Sequence, residues 1–382
     1  MQSAPPVSRR PGRGGAGLPP FASYVVAIAI AAVARRPGRA NPRLPGGAPD
    51  APGGDIRTAA PDPEAASAEP GRGRGATSPT EIPARGWWDI ARRAFDEIGN
   101  DRILAVAAGV TFYGLLALFP AIGAFVSLYG LVADPATIGS HLSALSGFLP
   151  DGALQIVNEQ VGRITSKGDT ALGFAFFSGL AISLWSANAG VKAVFDALNV
   201  AYEEEEKRNF IWLNLWSLAF TGGTVLFLVL ALSAVVVIPV VLKLVGLGEL
   251  TEWIIWAGRW PVLLLLTLGA LALLYRYGPS RDRAQWRWLT PGAIFAAVGW
   301  IAVSMLFSWY VGSFGSYNET YGSLGAVIGF MTWLWLSSTV ILVGAELNAE
   351  AEHQTAKDST EGPPTVRGAR GARMADSVGQ AR

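Results

Sequence analysis

The sequence contains no cysteine and only two histidines. These absences exclude disulfides, thiolate nucleophiles and Cys-ligated metal sites, and they leave almost no imidazole for any other metal site. Charged residues are also scarce, at 15% of the chain, whereas soluble domains carry about 25%. What is abundant is apolar, because 51% of the residues are hydrophobic and 14 are tryptophan. Such a chain cannot cover its surface with charge, so we expect a lipid bilayer around it and no cofactor.

Residues 85–352 hold six apolar segments, each of which reaches or nearly reaches the length that spans a bilayer as a helix. The sequence therefore predicts an all-α, polytopic membrane protein with six transmembrane helices, at residues 103–132, 171–200, 210–242, 260–277, 290–314 and 323–347.

The two ends of the chain differ from this domain in composition. Residues 1–84 carry most of the 24 prolines, and both they and residues 353–382 lack a hydrophobic period, so disordered tails are expected. Residues 21–34 form a short apolar run followed by Arg35 and Arg36. Three interpretations stay open for it: a start codon assigned too far upstream, so that the extension is rarely translated; a membrane-associated segment; or a cleaved signal peptide.

Basic residues are unevenly shared among the connections between the six segments. They concentrate before the first segment, between the second and third, and between the fourth and fifth, as in Arg92, Lys207 and Arg281. The positive-inside rule then places both termini in the cytoplasm, which agrees with an even number of spans.

A polar stripe marks the second segment. Asn188, Lys192, Asp196 and Asn199 follow at spacings of four, four and three residues, which puts them on one helix face. One interpretation is a hydrophilic path or substrate site, because ionisable groups in membrane helices usually face a cavity or the bundle interior. The other is that Lys192 reaches the interface and forms an ordinary i,i+4 ion pair with Asp196.

Glu346 lies near the end of the last segment and is preceded by more than twenty residues without a charge. At that depth a carboxylate needs a partner. We expect Glu346 to pair with Lys192 across the bundle, with a solvated headgroup-level carboxylate as the alternative.

The connection before the last segment contains Tyr317, Glu319 and Tyr321 among Gly and Ser residues. These three side chains are candidates for an outer vestibule, although the composition also suits a simple tight turn.

Two small-residue features are predicted to serve helix packing. Gly325 and Gly329 have the spacing that lets another helix approach closely. Pro120 lies inside the first segment, where it removes a backbone hydrogen bond and is expected to kink the helix.

Several short motifs recur in order along the membrane domain: Thr111-Phe112-Tyr113 through Phe119-Pro120, Trp185-Ser186, Asn199-Val200-Ala201-Tyr202, Tyr275-Arg276-Tyr277-Gly278-Pro279, Pro291-Gly292-Ala293, and Tyr321-Gly322-Ser323-Leu324-Gly325-Ala326 running on to Gly344-Ala345-Glu346-Leu347-Asn348. They resemble the YihY/BrkB family of bacterial inner-membrane proteins. The resemblance implies a multi-pass protein of the inner membrane but no agreed biochemical activity.

Some members carry a ribonuclease label, which these residues argue against. His141 and His353 are expected on opposite sides of the membrane, and no Gly-rich phosphate loop or basic RNA surface is present. Two functions remain: a transporter or permease for a small solute, ion or lipid, with a homo-oligomer as one expected assembly; or a non-transporting scaffold or envelope and virulence-associated factor. Neither an enzyme nor a nucleic-acid partner is expected.

Overall fold

The structure is a computed structural model that describes residues 69–129, 159, 174–245, 249–313 and 324–381. In these ranges the chain is helical, and the only β-type pairing is an isolated bridge between Ala284 and Thr360. The helices, after a 3-10 turn at Pro79–Glu81, are α1 (Ala84–Asn100), α2 (Ile103–Tyr129), α3 (Phe174–Ala201), α4 (Phe210–Val245), α5 (Glu249–Tyr277), α6 (Trp286–Ser313), α7 (Leu324–Gln354) and the single turn α8 (Arg373–Asp376).

The all-α prediction is confirmed for the described residues, and each of the six apolar segments overlaps one of the helices α2 to α7. Their continuous apolar runs explain this, since a helix satisfies every backbone group without water. Among the described residues, four stretches are long and apolar enough to cross a membrane: Ile103–Phe125, Phe210–Val229, Trp286–Gly312 and Val327–Gln354. A shorter apolar stretch, Pro261–Tyr277, lies in α5. The protein is therefore membrane-embedded.

The helices pack around the ends of α3, α5, α6 and α7. α2 lies along α3, α6 lies along α7, and α7 also contacts α2. Small residues dominate the centre, where Ala197, Ala296 and Ala345 are buried beside the large side chains of Leu198 and Tyr275. Large apolar side chains also cover the outside of the helices, which suits a lipid surround.

A second region, which we call the polar cap, comprises residues 69–102, 202–209, 278–285 and 346–381. The expectation of a disordered tail is wrong for residues 353–381, and residues 69–84 are likewise ordered. The reason is that arginines bond to backbone carbonyls of distant segments: Arg74 donates to Gln354 and Gly379, and Arg370 to Lys357 and Ala375. Residues 1–68, including the 21–34 run, lie outside the described residues.

Candidate functional site

Asn188 and Lys192, the first two residues of the polar stripe on α3, face α4. Lys192 Nζ donates to Asn214 Oδ1 at 2.5 Å, and Thr221 Oγ1 donates to Asn188 Oδ1 at 3.4 Å. Asn188 is 1% exposed, and its Nδ2 has no hydrogen-bond partner among the described residues. These contacts place a polar seam between two apolar helices, with one amide donor left over.

The lower half of the stripe serves the polar cap instead. Asn199 is buried, accepts a hydrogen bond from the Ser280 backbone N–H at 2.7 Å and donates to Glu206 Oε2 at 3.2 Å. It thereby ties together the connections that follow α3 and α5. Asp196, in contrast, is exposed. One helix face therefore carries two different polar environments.

The expected pairing of Lys192 with Glu346 is wrong. The Lys192 ammonium bonds to Asn214 and lies 5.9 Å from the centroid of the Trp185 ring, on the α4 side of α3. The alternative ion pair with Asp196 is also absent from the ion pairs of the described residues. The Asn214 amide oxygen accepts a hydrogen bond from the Lys192 ammonium, so no second charge has to be desolvated beside it.

Glu346 occupies a buried polar cluster of its own. Its side chain is completely buried, and neither carboxylate oxygen has a hydrogen-bond partner among the described residues. The carboxyl of Asp101, at the start of α2, lies within its hydrogen-bonding reach. Among the described residues, Asp101 Oδ2, Tyr202 Oη and Asn348 Nδ2 also lack hydrogen-bond partners. Buried polar groups are nearly always satisfied, so this concentration of exceptions requires an explanation.

The charges that act most strongly on Asp101 are those of other carboxylates. Asp101 precedes the apolar stretch of α2, and burial, followed by the charges of Glu97 and Glu203, raises its pKa to about 6. Two adjacent carboxyl groups in a buried setting repel each other when both are ionised. Either a cation must lie beside them, or the pair must share one proton. Within the described residues, no three His, Asp or Glu side chains are grouped as a metal site. The pair Asp101 and Glu346 is thus suited to hold a proton or a monovalent cation.

Ion pairs on either side of this cluster are complete. Arg93 Nε lies 2.5 Å from Glu350 Oε2, and Arg281 binds both oxygens of Glu352 at 2.7 and 3.2 Å. The Arg281 guanidinium also lies 4.3 Å from the centre of the Tyr202 ring. All four charged side chains are at most 5% exposed. The contrast isolates Glu346, because its neighbours one and two turns along α7 have cationic partners.

The remaining sequence-predicted residues fall in different places. Tyr317, Glu319 and Tyr321 lie outside the described residues. Gly325 is buried, but a Cβ added to Gly329 would meet no described atom within 4 Å, so none of the described helices approaches closely there. Pro120 lies inside α2, which continues past it to Tyr129.

The close approach between two helices occurs at Gly292 and Gly344, which were not predicted to serve helix packing. A Cβ on Gly292 of α6 would overlap the carbonyl oxygen of Gly344 on α7, and one on Gly344 would lie 2.7 Å from the carbonyl oxygen of Gly292. Asn348 Oδ1 accepts the Gly292 N–H at 2.7 Å. Asp101, Arg93 and the Arg281–Glu352 pair were missed as well. The i,i+4 spacing of Glu346 and Glu350 was the available signal that α7 presents carboxylates on one face.

The chain is similar in sequence to several bacterial proteins. The chain is 33% identical over 248 residues to "Putative ribonuclease-like protein YfkH" of Bacillus subtilis (strain 168), covering 64% of this chain and 88% of that protein. It is 26% identical over 288 residues to "UPF0761 membrane protein PSHAa0171" of Pseudoalteromonas translucida, covering 72% and 89%. It is 27% identical over 285 residues to "UPF0761 membrane protein RC1_0578" of Rhodospirillum centenum, covering 72% and 60%. No solved structure matches the chain.

The family model described as "Virulence factor BrkB" matches residues 94–369. That range runs from α1 through the membrane helices and includes most of the residues after α7. It also contains every residue of the stripe and of the Asp101–Glu346 cluster. The chain therefore belongs to the BrkB family of membrane proteins.

Proposed function

We propose that all six helices α2 to α7 span the bacterial inner membrane with both termini in the cytoplasm. The connections after α3 and α5 meet each other through Asn199 and Ser280. The start of α2 meets the end of α7 through Asp101 and Glu346. When consecutive helices cross a membrane in opposite directions, every second connection between them lies on the same side of that membrane. The cap at that end holds Arg93, Lys207 and many other cations, as the positive-inside rule requires of a cytoplasmic face.

Within this topology the protein acts as a transporter or permease for a small solute or ion. The observation that carries the proposal is Glu346, a fully buried carboxyl group that has no donor or cation on either oxygen among the described residues and lies beside the carboxyl of Asp101. A structural role does not need such a group, since leaving it unsatisfied is costly and an apolar side chain would fill the space. Ionisable groups retained at this depth usually mark ion or substrate pathways.

The residues divide into two parts in this mechanism. Asp101 and Glu346 form the entry from the cytoplasmic side, where a proton or cation exchanges with water through the half-buried Asp101. The α3–α4 seam forms the second part, because Asn188 keeps an unused amide donor and Lys192 supplies a cation. Movement of α3 against α4 would open the seam, since among the described side chains the polar contacts across it are the Lys192–Asn214 hydrogen bond and the 3.4 Å contact of Thr221 with Asn188.

Cysteine accessibility tests this function directly, because the natural chain has no cysteine and gives no background. Asn188→Cys and Glu346→Cys are exposed to a membrane-impermeant thiol reagent applied from either side of membrane vesicles. We expect both to react from the cytoplasmic side, since a transport cycle must admit water to each site. Glu205→Cys, on the exposed connection after α3, is the reactive control, and Ile182→Cys, 67% exposed on the outside of α3, is the lipid-covered control.

Protection of both test positions, with Glu205→Cys still reactive, would contradict transport. It would favour the alternative, a non-transporting scaffold or an envelope and virulence-associated factor, in line with the family's description. The folded polar cap supports that alternative, because an ordered surface on which the apolar side chain of Val366 is 77% exposed is suited to contact with a protein partner. We propose no enzymatic role: the ribonuclease-like name of the Bacillus relative finds no counterpart in His353, which lies 3.5 Å from Glu350 in the cap.

A further inference from the structure

An open cleft of about 370 Å³ lies where α4 and α5 meet the polar cap. Trp216 of α4 and Tyr277 at the end of α5 form one side, and the connection that follows α5 forms the other. Gly371, from the segment beyond α7, closes the cap side. The volume is within the range of about 300–1,000 Å³ that ligand sites occupy.

The cations of the cleft divide into two groups. Three arginines are already neutralised: Arg208 by Glu206 at 2.6 Å, Arg276 by Glu361 at 2.5 Å and Arg281 by Glu352 at 2.7 Å. They build the wall and hold it in place.

Lys207 and Arg283 are the cations that face outward. Lys207 has a 56% exposed side chain and forms a surface ion pair with Glu204 at 2.8 Å, which a bound phosphate would compete with. Arg283 is exposed, forms no ion pair with a described residue, and holds its guanidinium 5.2 Å from the centre of the Tyr277 ring. An arginine oriented on an aromatic face keeps its N–H groups free for a phosphate oxygen.

The cleft is also at the edge of the apolar surface. Trp216 stacks on Tyr277 with centroids 6.1 Å apart and ring planes 12° apart. Tryptophan and tyrosine favour the headgroup level of a bilayer. Below the stack, the exposed side chains of Leu215 and Leu273 begin the lipid-facing surface of α4 and α5. An anion bound between Lys207 and Arg283 would therefore have hydrocarbon directly beside it.

We propose that this cleft binds the phosphate of an anionic phospholipid. Lys207 and Arg283 contact the phosphate oxygens, the stacked Trp216 and Tyr277 lie beside the glycerol backbone, and the acyl chains follow the apolar outside of α4 and α5. A free phosphate would satisfy the two cations but leave the aromatic and apolar walls unused. The site is independent of the Asp101–Glu346 cluster and does not require that the protein transport anything.

Native mass spectrometry of the detergent-purified full chain tests the site. The protein is titrated with phosphatidylglycerol, with phosphatidylcholine and with inorganic phosphate, and the affinity of the first bound molecule is measured. We expect phosphatidylglycerol to bind more tightly than phosphatidylcholine. The double variant Lys207→Ala/Arg283→Ala should weaken phosphatidylglycerol binding about tenfold or more, because both charge-assisted contacts to the phosphate are lost. Inorganic phosphate should bind far more weakly and should not displace the lipid.

The matched control is Arg85→Ala/Arg92→Ala, which removes two exposed cations from α1 in the same cap. It should leave phosphatidylglycerol binding within about twofold of the natural chain, because general charge contributes little once salt screens it. Equal binding of the two lipids, or equal weakening by both double variants, would overturn the site. Inorganic phosphate binding as tightly as phosphatidylglycerol would overturn the lipid as its ligand. Thermal unfolding of each variant shows whether it has kept its fold.

Discussion

The membrane helices and the polar cap satisfy their polar groups in opposite ways. In the helices several hydroxyls bond to their own backbone one turn earlier, as Thr111 does to Ala107, Thr221 to Ser217 and Thr339 to Trp335. In the cap, polar groups bond to segments far away in the chain, as Arg93 does to Glu350 and Arg74 to Gly379. The first arrangement needs only a helix, whereas the second needs the whole fold.

This difference shows where each region gets its order. Without water, a helix must satisfy its polar groups locally, so the membrane helices form from their own sequence and lipid. The cap has few large apolar side chains but many buried charges. Its order therefore depends on particular pairs, each of which fails if one partner is lost. α7 belongs to both regions, and Glu346 lies at the point where the arrangement changes from one kind to the other.

The largest effect is expected from removing one partner of a buried cap pair. In Arg281→Met, Glu352 keeps its charge but loses both bonds to Arg281 in a site where neither side chain is exposed. We expect a loss of about 3–5 kcal/mol in the free energy of unfolding of the cap, because an unpaired charge stays buried. Hydrogen exchange of residues 353–381 measures the loss, and exchange within α4 should change little.

The double variant Arg281→Met/Glu352→Met sharpens this expectation. Since replacing both members of a buried pair by apolar groups is often close to neutral, it should recover most of the loss. Recovery should stay incomplete, because the Ser359 hydroxyl donates to Glu352 at 2.8 Å and would lose its acceptor. A double variant as unstable as Arg281→Met would show that the cap does not depend on charge pairing.

In the membrane helices the corresponding weak point is steric. Gly292→Ala places a methyl group against the Gly344 carbonyl oxygen and 2.6 Å from Asn348 Nδ2, so α6 and α7 must separate. We expect a loss of about 1–3 kcal/mol, as overpacking usually costs. Tryptophan fluorescence during thermal unfolding measures it.

Gly269→Ala on α5 is the matched control for that substitution, since a Cβ there meets no described atom within 4 Å. Its stability should stay within about 0.5 kcal/mol of the natural chain. Equal effects of the two substitutions would mean that α6 and α7 do not pack at these glycines.

The same contrast explains what could be predicted from the sequence. Apolar runs placed α2 to α7 because helix length and hydropathy are local properties, and the 3.6-residue period put Asn188 and Lys192 on one face. Their partner Asn214 could not be found this way, because it depends on which helix packs beside α3. Glu346 was identified, but Asp101 was missed since it is distant in sequence. The cap was taken for disorder because its order rests on arginine contacts and not on hydrophobic periodicity.

The smallest effect separates two carboxyl groups within the cap by the sign of their pH dependence. The pKa of Asp101 is raised to about 6, chiefly by burial and then by Glu97 and Glu203. The folded state therefore binds its proton more tightly than the unfolded chain, and stability should fall as the pH rises from about 4 to about 6. We expect about 1 kcal/mol after screening by solvent at this half-exposed group, and Asp101→Asn should remove the slope. For Glu206, burial acts to raise the pKa, but hydrogen bonds and charge from Arg208 outweigh it and lower the pKa to about 2. The stability that Glu206 contributes is present above its ordinary pKa and is lost as the pH falls towards about 2, so the natural chain should lose stability relative to Glu206→Gln as the pH falls. Relative to Asp101→Asn, it should lose stability as the pH rises. Thermal unfolding of the natural chain and both variants between about pH 2 and about pH 6 measures these two differences, and a pH dependence of the same sign for both would show that the carboxylates around Asp101 are neutralised by something other than its own proton.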